Sequence, residues 1–188
     1  MTALAEIATP MSGAGVARAR FAATNEACLA FFSVHADSVS QACHAMAGRF
    51  QSGGRLLVYG EGARRSDVSH VVVEFMHPVV VGKRALAALA IQDVSSLEVL
   101  GRRGDIMMVL GGGALSESEL AILARAESPG MLTLALSGAA AVSPPHTSTR
   151  FDFPVPSTDA CIVQETHEVL YHVLWELVHV FLDHRVTA

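Results

Sequence analysis

Charged side chains are scarce in this sequence, and their scarcity limits what the protein binds. Of 188 residues, 51% are hydrophobic and only 16% are charged. Such an apolar composition favours buried contacts between subunits. The net charge is −5 and no basic run is present, which argues against nucleic acid and acidic membrane surfaces as partners.

Cysteines and long uncharged segments are also few. Cys28, Cys43 and Cys161 are scattered and form no CxxC pair, so we predict reduced, mostly buried thiols of a cytoplasmic protein. No uncharged run is long enough to span a bilayer. The first residues include Glu6 and lack the basic and apolar blocks of a signal peptide.

Helical and strand-like patterns alternate along the chain. An Ala-rich segment at 17–50 predicts helix, with a break near residues 34–37 that would divide it into two helices. Short apolar runs predict strands at 55–59, 87–91, 105–110, 131–136 and 151–155. Helices are predicted at 66–76, 116–126 and 159–183, and a loop at 137–150. We therefore expect a single α/β domain over 1–188, with an N-terminal helical segment at 1–52 and a core at 53–188 built on a parallel sheet.

Two glycine turns, at 60–62 and 111–113, each follow a predicted strand and precede a predicted helix. Phosphate-binding loops occupy such positions in α/β folds. Backbone N–H groups of the second turn could hold an anion, or the turn has no binding role. Arg64 and Arg65, beside the first turn, either bind phosphate or lie in a solvated turn.

His70 and Glu74 are four residues apart, so they share one face of a helix. That spacing suits two ligands of one metal ion, and it also suits an ordinary surface pair. Gln164 and His172 lie about 12 Å apart along the last helix and about 80° around it. They can bind one ion only if the helix is distorted or if one of the two ligands comes from a neighbouring subunit. Otherwise Gln164 caps or lines the start of the helix, and His172 is a satisfied interior histidine. We expect the other histidines of this helix to be satisfied interior residues: His167 and His179.

Four segments carry recognisable motifs in a fixed order. They are GGRLLVYGEGARRSDVSHVVVEF at 53–75, AALAIQDVSSLEVLG at 87–101, GDIMMVLGGGALSESEL at 104–120 and VPSTDACIVQETHEVLYHVLWELVHVF at 155–181. Together they resemble the sugar isomerase (SIS) family, close to bacterial phosphoheptose isomerases. The resemblance implies an α/β three-layer sandwich with a five-stranded parallel sheet in flavodoxin-like topology, N-terminal helices and a long C-terminal helix. It also implies a homotetramer and a sugar phosphate or related carbohydrate derivative as ligand.

The resemblance also implies a catalytic site. It makes Glu74 and His172 the acid/base pair of an aldose–ketose isomerisation, in which a proton moves between adjacent carbons through an enediol. It matches His70, Glu74, Gln164 and His172 to the ligands of a Zn²⁺ ion.

The phosphate loops depart from the family pattern. Asp93 matches a substrate-loop aspartate and Ser116 the last serine of the second phosphate loop, but Arg64 replaces the first-loop serine and Gly111-Gly112-Gly113 replaces Ser-Thr-Ser. About one helix of chain is missing after Leu100. The predicted substrate-binding residues are Arg64, Asp93, Gly111, Gly112, Gly113 and Ser116.

Two functions follow from these observations. The first is a metal-assisted isomerase of a sugar phosphate or related sugar, favoured by the retained acid/base and metal residues. The second is a non-catalytic SIS module that binds a carbohydrate derivative or a protein partner, favoured by the altered phosphate loops.

Overall fold

A central parallel sheet organises the chain, and the computed structural model describes residues 12–139 and 149–183. The helices are α1 (Gly13–Gln51), α2 (Arg64–Met76), α3 (Val94–Leu100), α4 (Glu117–Glu127) and α5 (Ala160–Asp183). The strands are β1 (Leu56–Gly60), β2 (Ala88–Ala90), β3 (Ile106–Leu110), β4 (Leu132–Gly138) and β5 (Phe151–Val155).

The five strands are all parallel, in the order β2-β1-β3-β4-β5. This order confirms the predicted flavodoxin-like topology. Every residue of β1, β3 and β4 is buried, as expected of strands covered by helices on both faces. The chain leaves β1 toward β2 on one side and returns to β3 on the other, so the carboxyl ends of β1 and β3 form the switch point at which such folds bind ligands.

Helices cover the sheet as two outer layers. Alternate residues of β1 face opposite sides, so Leu56 and Val58 pack with α1, α2 and α5, whereas Leu57 and Tyr59 pack with α3 and α4. The predicted three-layer sandwich is therefore confirmed. Among the described residues, no helix is both long and apolar enough to cross a membrane.

The predicted break near residues 34–37 is wrong, because α1 is one helix of 39 residues and not two. No glycine or proline lies between Gly15 and Gly48 to interrupt it. Phe31 and Val39 are both buried, on either side of the expected break. Phe153 of β5 packs against Phe31 and His35, which holds the middle of α1 straight against the sheet.

Helix α3 was not predicted, and it begins at a residue expected to bind substrate. The Asp93 carboxylate caps α3 by accepting hydrogen bonds from the Ser96 backbone nitrogen at 2.7 Å and the Ser96 hydroxyl at 2.8 Å. These hydrogen bonds from Ser96 lower the pKa of Asp93. The carboxylate is thus committed to a local structural role, and its role toward substrate stays a prediction.

Two smaller predictions have mixed outcomes. The loop predicted at 137–150 begins later than expected, since β4 includes Ser137 and Gly138, and residues 140–148 lie outside the described part. All three cysteines are free, but only Cys43 is buried, while Cys28 is half-buried and Cys161 exposed.

Candidate metal and acid/base site

Three of the predicted site residues meet where α2 packs beside α5. The Oε1 atom of Glu74 lies 3.5 Å from Nε2 of His70 and 3.7 Å from Nε2 of His172. The helical spacing of four residues places His70 and Glu74 on one face of α2. His172 reaches them from the middle of α5 within the same chain.

The cluster fits a divalent metal ion. One ligand atom from each of the three side chains lies within 4.8 Å of the others. Zinc bonds of 2.0–2.2 Å in tetrahedral geometry place ligand atoms about 3.4 Å apart, close to the two distances from Glu74. Two histidines and one glutamate are a donor set of catalytic zinc sites, which keep a fourth position open for water or substrate.

The cluster is accessible from solvent. The side chains of His70 and His172 are 39% and 48% exposed, and that of Glu74 is 19% exposed. A cleft of about 550 Å³ opens beside Glu74 and His172, with Trp175 on its wall. A sugar-sized ligand can therefore reach the carboxylate and the imidazole from one side.

Tyr171 orients His70, a contact that the sequence interpretation missed. Its hydroxyl lies 3.0 Å from Nδ1 of His70, and burial raises the pKa of Tyr171, which keeps the hydroxyl protonated. When this oxygen accepts the proton of Nδ1, the lone pair of Nε2 faces Glu74 and is free for a metal ion. The only clue in the sequence is that Tyr171 directly precedes His172. This clue is not sufficient, because the sequence does not reveal how α5 is aligned against α2.

Gln164, the fourth predicted metal ligand, hydrogen-bonds elsewhere. Its amide nitrogen donates to Oδ1 of Asp67 at 2.7 Å. Asp67 precedes Glu74 by seven residues, which is about 10 Å along α2. The structure thus brings three of the four predicted ligands together, whereas Gln164 contacts a residue nearer the start of α2. This hydrogen bond uses the amide nitrogen of Gln164 and does not involve its carbonyl oxygen, which is the atom that would bind a metal ion.

Arg64 is buried, so the prediction of a solvated turn is wrong for this residue. It is 6% exposed and forms an ion pair with Asp67 at 3.0 Å, and its guanidinium also donates to the Ala160 carbonyl at 3.0 Å. The Arg64–Asp67–Gln164 contacts join the start of α2 to the start of α5. A phosphate-binding role for Arg64 stays a prediction, and it would compete with these internal partners.

The second glycine turn leads into a capped helix. Ser116 caps α4 in a capping box with Glu119, whose carboxylate accepts from the Ser116 backbone nitrogen at 2.8 Å. The Ser116 hydroxyl also donates to Oε2 of Glu61 at 3.3 Å. A Cβ atom at Gly112 would lie 3.5 Å from Nε of Arg64, so the turn passes close to the buried guanidinium.

The remaining histidines of α5 are interior, as predicted, but His167 is not fully satisfied, because its buried Nδ1 atom has no hydrogen-bond partner among the described residues. His167 and His179 are each 1% exposed. Nε2 of His167 lies 3.2 Å from the Ser137 carbonyl, and Nε2 of His179 lies 3.1 Å from the Arg84 carbonyl. Burial lowers the pKa of His167 to about 4, so this imidazole is neutral near pH 7 and acts as a packing residue.

Comparison with known proteins assigns the family. No protein-family model matches the chain. The chain is 30% identical over 177 residues to a phosphoheptose isomerase of Desulfovibrio desulfuricans, which covers 84% of this chain and 83% of the relative. The solved phosphoheptose isomerase of Francisella tularensis matches with a TM-score of 0.79 and 21% identity over 90% of this chain and 100% of its own. That of Neisseria gonorrhoeae matches with a TM-score of 0.74 and 20% identity over 89% and 98% of the two chains. At 20–21% identity the solved structures show that the fold is the same, and the relative at 30% identity shows the family. The chain therefore belongs to the phosphoheptose isomerase-like branch of the SIS family.

Proposed function

We propose that this protein is an aldose–ketose isomerase of a sugar phosphate or related sugar, assisted by a divalent metal ion. The observation that carries the proposal is the contact of Glu74 with both His70 and His172 in an accessible cluster. Family membership supports the reaction class. The mixed nitrogen and oxygen donors favour Zn²⁺.

The side chains divide the chemistry between them. Glu74 is the base that removes the proton next to the carbonyl and returns it to the adjacent carbon. Its Oε1 atom faces the two imidazoles, so its second oxygen is the one available to take this proton. His172 serves the substrate oxygens as the acid, and because its Nε2 atom faces the proposed metal site, the proton it gives is the one on Nδ1. A bound metal ion would polarise these oxygens and so stabilise the enediolate.

The proposed metal ligands are His70, Glu74 and His172, with Tyr171 fixing the orientation of His70. The fourth position is left to a substrate oxygen or to the amide oxygen of Gln164 from a neighbouring subunit, because Gln164 of the same chain pairs with Asp67 about 10 Å along α2 from Glu74. The sequence match of Gln164 to the zinc ligands supports the second choice.

The metal site is tested by zinc titration of the full-length protein after chelation, followed by calorimetry. We expect His70→Ala to weaken zinc binding at least tenfold, because it removes one of three donors. The matched control is His77→Ala, since His77 is exposed and lies outside the cluster. Equal zinc affinity in both variants would exclude His70 as a ligand.

A second function, a non-catalytic binding module, is favoured by a different observation. The Ser116 hydroxyl, which the family resemblance matches to a phosphate ligand, donates to the carboxylate of Glu61. A protein of this kind would bind a carbohydrate derivative or a protein partner without turnover. Substitution of Glu74 would then leave ligand binding unchanged, whereas the isomerase proposal requires loss of turnover.

We also propose a homotetramer. Phe21, Leu29 and Val34 on α1 are 71%, 70% and 74% exposed, and Val81, after α2, is fully exposed at 100%. Apolar side chains of this size favour burial between subunits. Light scattering at micromolar concentration is expected to give four times the chain mass of 19.8 kDa. A monomer under these conditions would contradict the proposal.

A further inference from the structure

A carboxylate lies at the N-terminus of α4, at the carboxyl edge of the sheet. Glu61 belongs to the turn after β1, and β1 and β3 are neighbours in the sheet. Its Oε1 atom accepts from the Tyr59 hydroxyl at 2.7 Å, and its Oε2 atom accepts from the Ser116 hydroxyl at 3.3 Å. Both oxygens are thus held by donors, one from the end of β1 and one from the N-cap residue of α4.

Glu61 is held in its charged form by these donors. The Tyr59 hydroxyl, and then the hydroxyls of Ser118 and Ser116, lower the pKa of Glu61. Burial and the neighbouring Glu61 raise the pKa of Tyr59 to about 12, so the phenol remains a donor at neutral pH. The arrangement is therefore an anion with its own hydrogen-bond donors.

These donors are the ones that an external anion would use. The N-terminus of a helix and the hydroxyl groups around it attract phosphate, because free N–H groups and the helix dipole point outward there. At α4, the carboxylates of Glu61 and Glu119 both accept from Ser116. Of the two neighbouring arginines, Arg64 is already paired with Asp67, and the charge of the exposed Arg65 already acts on Glu61, whose pKa it lowers. A second anion at this position would meet like charge and occupied donors.

We propose that Glu61 is a specificity-determining residue that excludes phosphate from the N-terminus of α4 and selects a neutral, hydroxyl-bearing end of the ligand there. This inference deepens the proposed function and rests on it for the nature of the ligand. Carboxylate oxygens accept hydrogen bonds from sugar hydroxyls. A phosphorylated sugar would bind with its phosphate turned away from Ser116.

The experiment titrates inorganic phosphate into the full-length protein and follows binding by calorimetry and by the backbone amide signals of the first turn of α4. Glu61→Ser removes both the charge and the volume of the side chain. Glu61→Gln keeps the volume and removes the charge. The matched control is Glu117→Gln, which removes one charge from an exposed residue in the same first turn.

We expect Glu61→Ser to bind phosphate at least tenfold more tightly than the unchanged protein, with signal shifts at Ser116, and Glu117→Gln to resemble the unchanged protein. An increase in Glu61→Gln as well would assign the exclusion to charge, and its absence would assign it to volume. Equal phosphate affinity in the unchanged protein and both Glu61 variants overturns the proposal. So does an equal gain in Glu117→Gln, which would reflect net charge alone.

Phosphate binding needs no turnover, so this result is independent of the isomerase proposal. The variant Glu74→Gln distinguishes the isomerase proposal from the proposal of phosphate exclusion. It is expected to leave the phosphate titration unchanged, whereas it removes the proposed base. Failure of the isomerase assay with a positive Glu61→Ser titration would reject only the reaction, and the reverse result would reject only the phosphate exclusion.

Discussion

Glu74→Gln is expected to lower isomerase turnover at least 100-fold and to leave the fold unchanged. The amide keeps the volume of the carboxylate but cannot take up the substrate proton, and general bases contribute roughly 10²–10⁴-fold to such reactions. Because the Glu74 side chain is 19% exposed and not fully buried, loss of its charge costs little stability. The measurement is deuterium uptake from solvent next to the carbonyl of sedoheptulose 7-phosphate, together with product formation.

The matched control for this prediction is Glu176→Gln. Glu176 lines the same cleft and is exposed, and it belongs to α5 like His172. Its amide variant should keep turnover within about threefold of the unchanged protein, because the residue lies outside the three-residue cluster. If both variants are equally active, Glu74 is not the base, and the binding-module function would be favoured.

Asp105→Asn is expected to lower the free energy of unfolding by about 3 kcal/mol or more. Asp105 is 2% exposed and lies just before β3. Its carboxylate pairs with Arg55 at 2.6 Å and also accepts from the backbone nitrogens of Arg55 and Arg102, at 2.9 Å and 3.0 Å. Removing the carboxylate leaves the charge of Arg55, whose side chain is 19% exposed, without its partner, at a cost of about 3 kcal/mol, the lower end of the range for buried pairs.

The control for stability is Glu98→Gln, which breaks an exposed ion pair with Arg125. Pairs at the surface contribute about 0–1 kcal/mol, so this variant should unfold almost like the unchanged protein. Denaturant titration of both variants gives the comparison, and neither residue lies in the cluster of His70, Glu74 and His172. Similar losses in the two variants would show that the contacts of Asp105 are not specially stabilising.

The strands were predictable from the sequence because their signal is local. Runs such as Leu56–Gly60 and Ile106–Leu110 are continuously apolar and bounded by glycine or charged residues, as buried parallel strands require. The break expected near residues 34–37 is absent from α1, because none of the polar residues at 33–38 stops a helix whose other face is covered. Helix α3 was missed because seven residues give little periodic signal.

The site was predictable only in part, because its missing members come from contacts between distant segments. The spacing of His70 and Glu74 was visible on one helix, and the family resemblance added His172. Tyr171 and Asp67 were missed, since their partners lie 101 and 97 residues away along the chain. The register between two packed helices sets such contacts, and periodicity within one helix does not contain it.

Helices α2 and α5 run in the same direction, so the geometry of the cluster depends on how far one helix is shifted along the other. Gln164 of α5 contacts Asp67 near the start of α2, and eight residues later His172 contacts Glu74 further along α2. A slide of one residue along the axis, about 1.5 Å, would move His172 off Glu74 and Gln164 off Asp67 together. Metal affinity would therefore report the relative position of α2 and α5, and a substitution far from the ligands could change it through packing alone.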